Sequence, residues 1–133
     1  MKTAITFGTY DLFHIGHLRI LQRARALGDR LVVGVSTDAL NFSKKNYKPI
    51  FAEEHRMEII RALRVVDDVF YEESLDLKGE YIKHHKADIL VMGDDWQGKF
   101  DQFNTLCEVV YLPRTDGIST TMVKEDVVQK ALR

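Results

Sequence analysis

Two imidazoles three residues apart, His14 and His17, sit in the stretch Gly8-Thr9-Tyr10-Asp11-Leu12-Phe13-His14-Ile15-Gly16-His17. Residues at that spacing share one side of a helix, so both rings can face a single ligand. The apolar run Ala4-Ile5-Thr6-Phe7 precedes the stretch, and helical spacing of Leu18, Leu21, Ala24 and Leu27 follows it. The loop between must therefore deliver the chain onto a helix N-terminus, where unpaired amides and a partial positive charge attract phosphate oxygens. Gly8 and Gly16 are expected to let backbone approach the ligand and to supply positive φ where the turn needs it, and Thr9 adds a hydroxyl. Zinc held by the two histidines is a competing chemistry, but the sole cysteine, Cys107, is remote in sequence and no His-Glu-x-x-His pattern is present. No resident metal site is expected.

The same arrangement recurs near the other end of the chain. Arg114-Thr115-Asp116-Gly117-Ile118-Ser119-Thr120-Thr121 follows the strand-like Cys107 to Leu112 and precedes a helix with Val123, Val127 and Ala131 along one face. Helix capping by Ser119 or Thr120 would explain one hydroxyl. It would not explain three in a row together with Gly117 and Arg114, whose planar guanidinium grips phosphate in a bidentate way. Two further loops join them. Gly93-Asp94-Asp95-Trp96 after another apolar strand offers acids and an indole to a base or an acceptor, or else a capped turn with Trp96 lying over the core. Asn41 to Lys48 reads as a mobile polar loop whose Lys44, Lys45 and Lys48 could close over a triphosphate. Asp38 is either a ligand-edge carboxylate or a helix cap, and Arg56 and Arg64 leave a predicted helix away from its core face.

Elements able to position these loops alternate along the chain. Strands are predicted at 4–7, 31–36, 65–70, 89–92 and 107–112, with helices near 18–27, 53–64, 77–85 and after 120. Continuous apolar runs such as Leu31-Val32-Val33-Gly34-Val35 mark strands covered on both faces. The whole, residues 1–133, reads as one α/β domain, a doubly wound five-stranded parallel sheet flanked by helices. Forty-five per cent hydrophobic and 29% charged residues suit a globular core, and a formal net charge of −1 supplies no basic field for nucleic acid. No apolar leader or membrane-length run occurs, so a cytoplasmic protein without membrane association is expected. His84 and His85, adjacent on a helix, diverge and are expected at the surface.

His14-Ile15-Gly16-His17 resembles the His-x-Gly-His signature of the nucleotidyltransferase superfamily. Arg114 to Thr121 resembles the Arg-Thr-Glu-Gly-Ile-Ser-Thr signature of its cytidylyltransferases, with Asp116 shortening the acid. The likeness spans nearly the whole chain, and Gly93 to Asp101 leans it toward the bacterial enzymes acting on glycerol 3-phosphate. The resemblance implies a Rossmann-like sheet, a homodimer, CTP with Mg²⁺, and in-line attack by an acceptor phosphate on the α-phosphorus without a covalent intermediate. The product would feed teichoic acid or another cell-surface polymer.

By matching position, Gly8, Thr9, Tyr10, His14, His17, Gly93 and Asp94 line the CTP site together with Arg114, Thr115, Gly117, Ile118, Ser119 and Thr120. His14, His17 and Arg114 are implied to act on the phosphates, and Asp11 to orient the site. Lys44, Lys45, Lys48, Lys78, Arg64 and Trp96 are the residues expected near the acceptor. Without a visible cluster of aromatics to cage a choline head, a polyol phosphate is favoured. An adenylyltransferase, another phosphate or phosphonate acceptor, and a nucleotide-binding module without turnover remain alternatives at this point.

Overall fold

A computed structural model describes residues 1–132; Arg133, the last residue of the expected domain, lies outside the described residues. Five strands, β1 (Thr3–Gly8), β2 (Arg30–Ser36), β3 (Asp68–Glu72), β4 (Ile89–Gly93) and β5 (Glu108–Leu112), pair in the order β3-β2-β1-β4-β5. Every pairing is parallel, with Ile5 opposite Val32 on one side and Leu90 on the other. The expected doubly wound sheet is the one found. Its order reverses between β1 and β4, and the crevice beyond the strand ends at such a reversal is where open α/β sheets bind ligands.

Alternation along the central strands explains the layers. Ala4, Leu31, Val33, Val35 and Val91 project to one face and are covered by α1 (Ile15–Ala26) and α3 (Glu53–Arg61) through Leu21, Ala24, Met57 and Ile60. Ile5, Phe7, Val32, Leu90 and Met92 project to the other, covered by Ile82 of α4 (Lys78–His84) and by Phe103 in the 3₁₀ turn Asp101–Thr105. α2 (Asp38–Lys45) follows the end of β2, and α5 (Thr120–Ala131) follows β5 through the loop that begins at Pro113.

Four local expectations change. The polar stretch from Asn41 is not a loop up to Lys45 but the body of α2, because the Thr37 hydroxyl caps it at Leu40 N–H and Leu40 and Asn41 are buried; only Asn46 onward leaves the helix. β3 begins at Asp68 rather than Val65, since the Asp67 carboxylate accepts from Leu31 N–H and pairing with β2 starts one residue later. α3 stops at Arg61, which leaves Arg64 exposed in the following turn. His84 is exposed as expected, whereas His85 is half-buried and stacks on Phe70 at 4.4 Å.

Candidate active site

The first glycine-bearing loop is built differently from its expectation. Its left-handed residues are Tyr10 (φ 56°) and Leu12 (φ 49°), not glycines, and non-glycine residues held there signal a conformation fixed by its surroundings. Tyr10 is buried in the core, where desolvation raises its phenol well above the ordinary range. Gly8 and Gly16 serve as close-approach positions instead. A Cβ on Gly8 would lie 2.7 Å from the Tyr10 ring, and one on Gly16 would lie 2.8 Å from the His14 ring.

Both imidazoles belong to the start of α1. His14 is the N-cap, its Nδ1 accepting from Gly16 N–H at 3.0 Å, and His17 Nδ1 accepts in turn from His14 N–H at 3.2 Å. This is a capping box made of two histidines instead of a hydroxyl and a carboxylate. Because each Nδ1 accepts, each neutral ring carries its proton on Nε2. The rings stack at 3.8 Å, which makes a double charge costly. His17 is accordingly pushed down to about 4, by burial first and by His14 second, against a smaller opposite pull from Asp11. His14 is lowered by burial as well. The pair therefore stands at neutral pH as two uncharged N–H donors.

A pH dependence of stability follows. Unfolded imidazole takes a proton near pH 6.5, whereas folded His17 holds it off to about 4. The unfolded state binds more protons across that window, so stability falls as pH drops from about 6.5 toward 4. Denaturant midpoints at pH 7 and pH 5 should differ in that direction, and His17→Gln should narrow the gap; an equal gap in the variant refutes the assignment.

α5 closes the site from the opposite side. Ser119 caps it at Met122 N–H, while Thr120 Oγ1 donates to the Asp11 carbonyl at 3.1 Å and lies 3.4 Å from His14 Nε2. The two loops separated by a hundred residues of sequence thus meet. Together they bound a cleft of about 910 Å³ over the ends of β1 and β4, at the large end of the roughly 300–1,000 Å³ usual for small-molecule sites.

His14, His17, Thr9, Arg114, Ser119 and Thr120 line this cleft, as do Gly8, Tyr10, Gly93, Thr115 and Ile118. Lys44, Lys45, Lys78 and Trp96 line it too. Asp94 and Gly117 border a shallower depression that shares Arg114, Thr115 and Ile118, and Lys48 and Arg64 border neither. Among the described residues, no three His, Cys, Asp or Glu side chains group to hold a metal ion.

Asp11 proves to be a staple. Its carboxylate accepts from Ile50 N–H at 2.8 Å and Phe51 N–H at 2.9 Å, fixing the segment after α2 against the histidine loop. Arg56, expected to be solvated, is fully buried and completes that frame. Its Nη1 donates to the carbonyls of Thr9 at 2.8 Å and Ser36 at 2.7 Å, its Nε to Phe51 and its Nη2 to Asp38 Oδ1 at 2.7 Å. Asp38 is thus the partner of a guanidinium rather than a ligand-edge acid. Only a rigid five-donor fork joins the histidine loop, the β2–α2 junction and the segment before α3 in this way. Removing it strands Asp38 and three carbonyls, so Arg56→Met should lower stability by about 3–5 kcal/mol, the cost of breaking a buried pair. Urea unfolding measures this, and a loss below about 1 kcal/mol contradicts it.

The other end of the cleft holds a second cation group. Lys78 is buried against Glu72 with an Nζ–Oε2 distance of 2.7 Å, and Lys44 lies within electrostatic reach of both. Aromatic rings also gather here, contrary to expectation: Trp96, Phe100 and Phe103 pack in series. They lie four and then three residues apart, the spacing of one helical face, although the segment folds as two 3₁₀ turns, Asp94–Trp96 and Asp101–Thr105. Lysines already occupy these rings. Lys78 Nζ lies 3.7 Å from the Phe7 centroid and 5.2 Å from that of Phe100, and Lys99 Nζ lies 5.6 Å from that of Trp96.

A family model described as cytidylyltransferase-like matches residues 5–126. The chain belongs to that family. Members related to it include the glycerol-3-phosphate cytidylyltransferase of Bacillus subtilis, 51% identical over 96% of this chain and 98% of the relative. The glycerol-3-phosphate cytidylyltransferase of Staphylococcus aureus is 44% identical over 98% of each. The fold is shared with a lipopolysaccharide core biosynthesis protein from Thermoplasma volcanium, with TM-score 0.73 and 28% identity over 87% of this chain and 99% of that one. This cytidylyltransferase-like chain is a nucleotidyltransferase with a Rossmann-like sheet.

Proposed function

We propose that the chain transfers CMP from CTP to glycerol 3-phosphate, giving CDP-glycerol and pyrophosphate. The observation that carries this reading is the meeting of the α1 and α5 starts, through Thr120, His14 and Asp11, around a single cleft. The names of the full-length relatives supply the acceptor. An acceptor phosphate dianion is already a nucleophile near neutral pH, so the task is positioning and charge stabilisation, with no general base. One phosphate oxygen of the acceptor forms a bond to the α-phosphorus as the bond to the bridging oxygen breaks, and pyrophosphate leaves with that electron pair.

Charge grows on the bridging and equatorial oxygens during this step. The Nε2–H of His17, that of His14, which lies 3.4 Å from Thr120 Oγ1, and the N-terminus of α1 border the cleft and would donate to that charge. Arg114, exposed at the rim, grips the triphosphate with Ser119 and Thr120. Magnesium would be carried by the nucleotide. It characteristically binds through substrate phosphates and retained waters rather than an all-protein cage, which suits a cleft in which Asp11 is already taken up by backbone amides. When bound it neutralises part of the triphosphate charge.

Lysine ammonium groups on the cleft's aromatic faces disfavour a quaternary ammonium head and favour a neutral polyol. The exposed apolar side chains of Met122, Val127 and Val128 on α5 suit a homodimer partner. No described helix is long and apolar enough to cross a membrane, and the reaction is placed in the cytoplasm, where CTP is available.

Pyrophosphate release tests the reading, with CTP and ATP each offered against glycerol 3-phosphate, phosphoethanolamine and phosphocholine. CDP-glycerol from CTP is the expected product. Preference for ATP makes the chain an adenylyltransferase; preference for an amine acceptor moves it within the family; CTP binding without any product makes it a nucleotide-binding module.

A further inference from the structure

Glu72 belongs to no phosphate-binding motif, yet it ends β3 at the floor of the cleft and is 2% exposed. Its Oε1 accepts from the Ser36 hydroxyl at 3.1 Å, tying it to the end of β2, and its Oε2 accepts from Lys78 Nζ at 2.7 Å. Lys78 is 3% exposed and still lines the cleft. An ammonium carries three N–H groups. One goes to Glu72, a second is directed over the Phe7 ring at 3.7 Å, and a third is left for the cavity.

We propose that Glu72 is a positioning residue that holds Lys78 charged and fixed so that its remaining N–H receives the phosphate of the acceptor. This rests on the transfer reading above.

A lysine buried without a countercharge sheds its proton, because burial penalises the charged form, and Glu72 is the carboxylate placed to prevent that at Lys78. A buried ion pair is also a poor means of stabilising a fold, since apolar residues of the same volume do as well or better; the pair adds a fixed donor that apolar residues could not. Finally, the pair is placed away from the triphosphate grip. His14, His17 and Thr120 are supplied by α1 and α5, whereas Glu72 and Lys78 are supplied by β3 and α4, with Lys44 of α2 nearby. A second anion is needed there, not a second hold on the first. Lys44 is exposed near the end of α2, whereas Lys78 is buried and anchored by Glu72.

Steady-state kinetics with CTP and glycerol 3-phosphate provide the test. E72Q should raise the acceptor KM about tenfold or more, the scale of one charge-assisted hydrogen bond, and leave the CTP KM within about twofold. E72D, which keeps the charge but shortens its reach, should fall between wild type and E72Q. If Glu72 acts through Lys78, the E72Q/K78M double variant should be no worse for the acceptor than K78M alone. An unchanged acceptor KM in E72Q overturns the proposal, as do E72Q and K78M effects that multiply in the double variant. Should E72Q not fold, as judged by far-UV circular dichroism, E72D decides by the same split of KM values; if neither folds, Glu72 is a structural residue and the proposal falls. Absence of product from the wild-type protein overturns the transfer reading itself, an outcome distinct from an active wild type matched by E72Q.

Discussion

Replacing His17 with alanine lowers kcat by about 10²- to 10³-fold, the loss expected when one preorganised donor to a developing oxyanion is removed. The donor is set by the fold. His17 Nδ1 is engaged with the His14 amide, which leaves Nε2–H as the group facing the cleft. Its depressed proton affinity keeps it an uncharged donor in the free enzyme, and the triphosphate, when bound, pulls in the opposite direction. Rate loss should exceed any change in substrate KM, because the contact strengthens as charge accumulates. Removing the ring also deletes one half of the capping box and its stacking on His14, so some stability loss, on the order of 1 kcal/mol, accompanies it. His17→Asn, which retains a short polar side chain, separates the two effects. Turnover within about threefold of wild type in a folded His17→Ala protein contradicts the role.

Arg114→Ala is expected to weaken CTP binding and slow the chemistry together. Its exposed guanidinium borders both the main cleft and the adjoining depression, and a bidentate arginine–phosphate contact contributes charge-assisted hydrogen bonds of about 1.5–3 kcal/mol. Loss of that contact should raise the CTP dissociation constant by roughly 10- to 100-fold. Arg114→Lys should recover part of the binding through charge alone, without the fork. Isothermal titration with CTP reads the first part and single-turnover rates the second. Since the side chain is exposed rather than packed into the core, stability should be unaffected; unchanged CTP affinity in Arg114→Ala removes it from the triphosphate grip.

Comparison of His17 with Arg56 shows what local sequence conveys. His14, Gly16 and His17 lie within one helical turn, and their geometry is fixed by neighbours one to three residues away. Spacing alone therefore announces them. Arg56 gives no such signal. A helical arginine next to Met57 and one turn from Ile60 has the pattern of a solvated residue, and only the approach of Thr9, Ser36, Asp38 and Phe51 from three segments makes it a buried hub. The α2 stretch fails for a related reason. Its polar composition resembles a loop, and burial of Leu40 and Asn41 under tertiary contacts overrides that tendency. The aromatic series at Trp96, Phe100 and Phe103 carries a helical spacing in the sequence, but only the folding of that segment as two 3₁₀ turns packs the rings in series beside the cleft.

The sequence by itself determined the alternation of strands and helices, the parallel sheet with its reversal, and the two loop-to-helix junctions proposed to bind phosphate, because apolar periodicity and capping chemistry act over a few residues. Tertiary structure alone decided that those starts share one cleft and that Asp11 and Arg56 brace it. It also decided that Glu72 draws Lys78 to the cleft floor and that aromatic faces there are already occupied by lysines. The first two depend on groups brought together from distant segments, and the Glu72–Lys78 pair, six residues apart, depends on its burial at the cleft floor. The free energy of such a group is set by its desolvation and its partners, neither of which exists until the chain has closed around it.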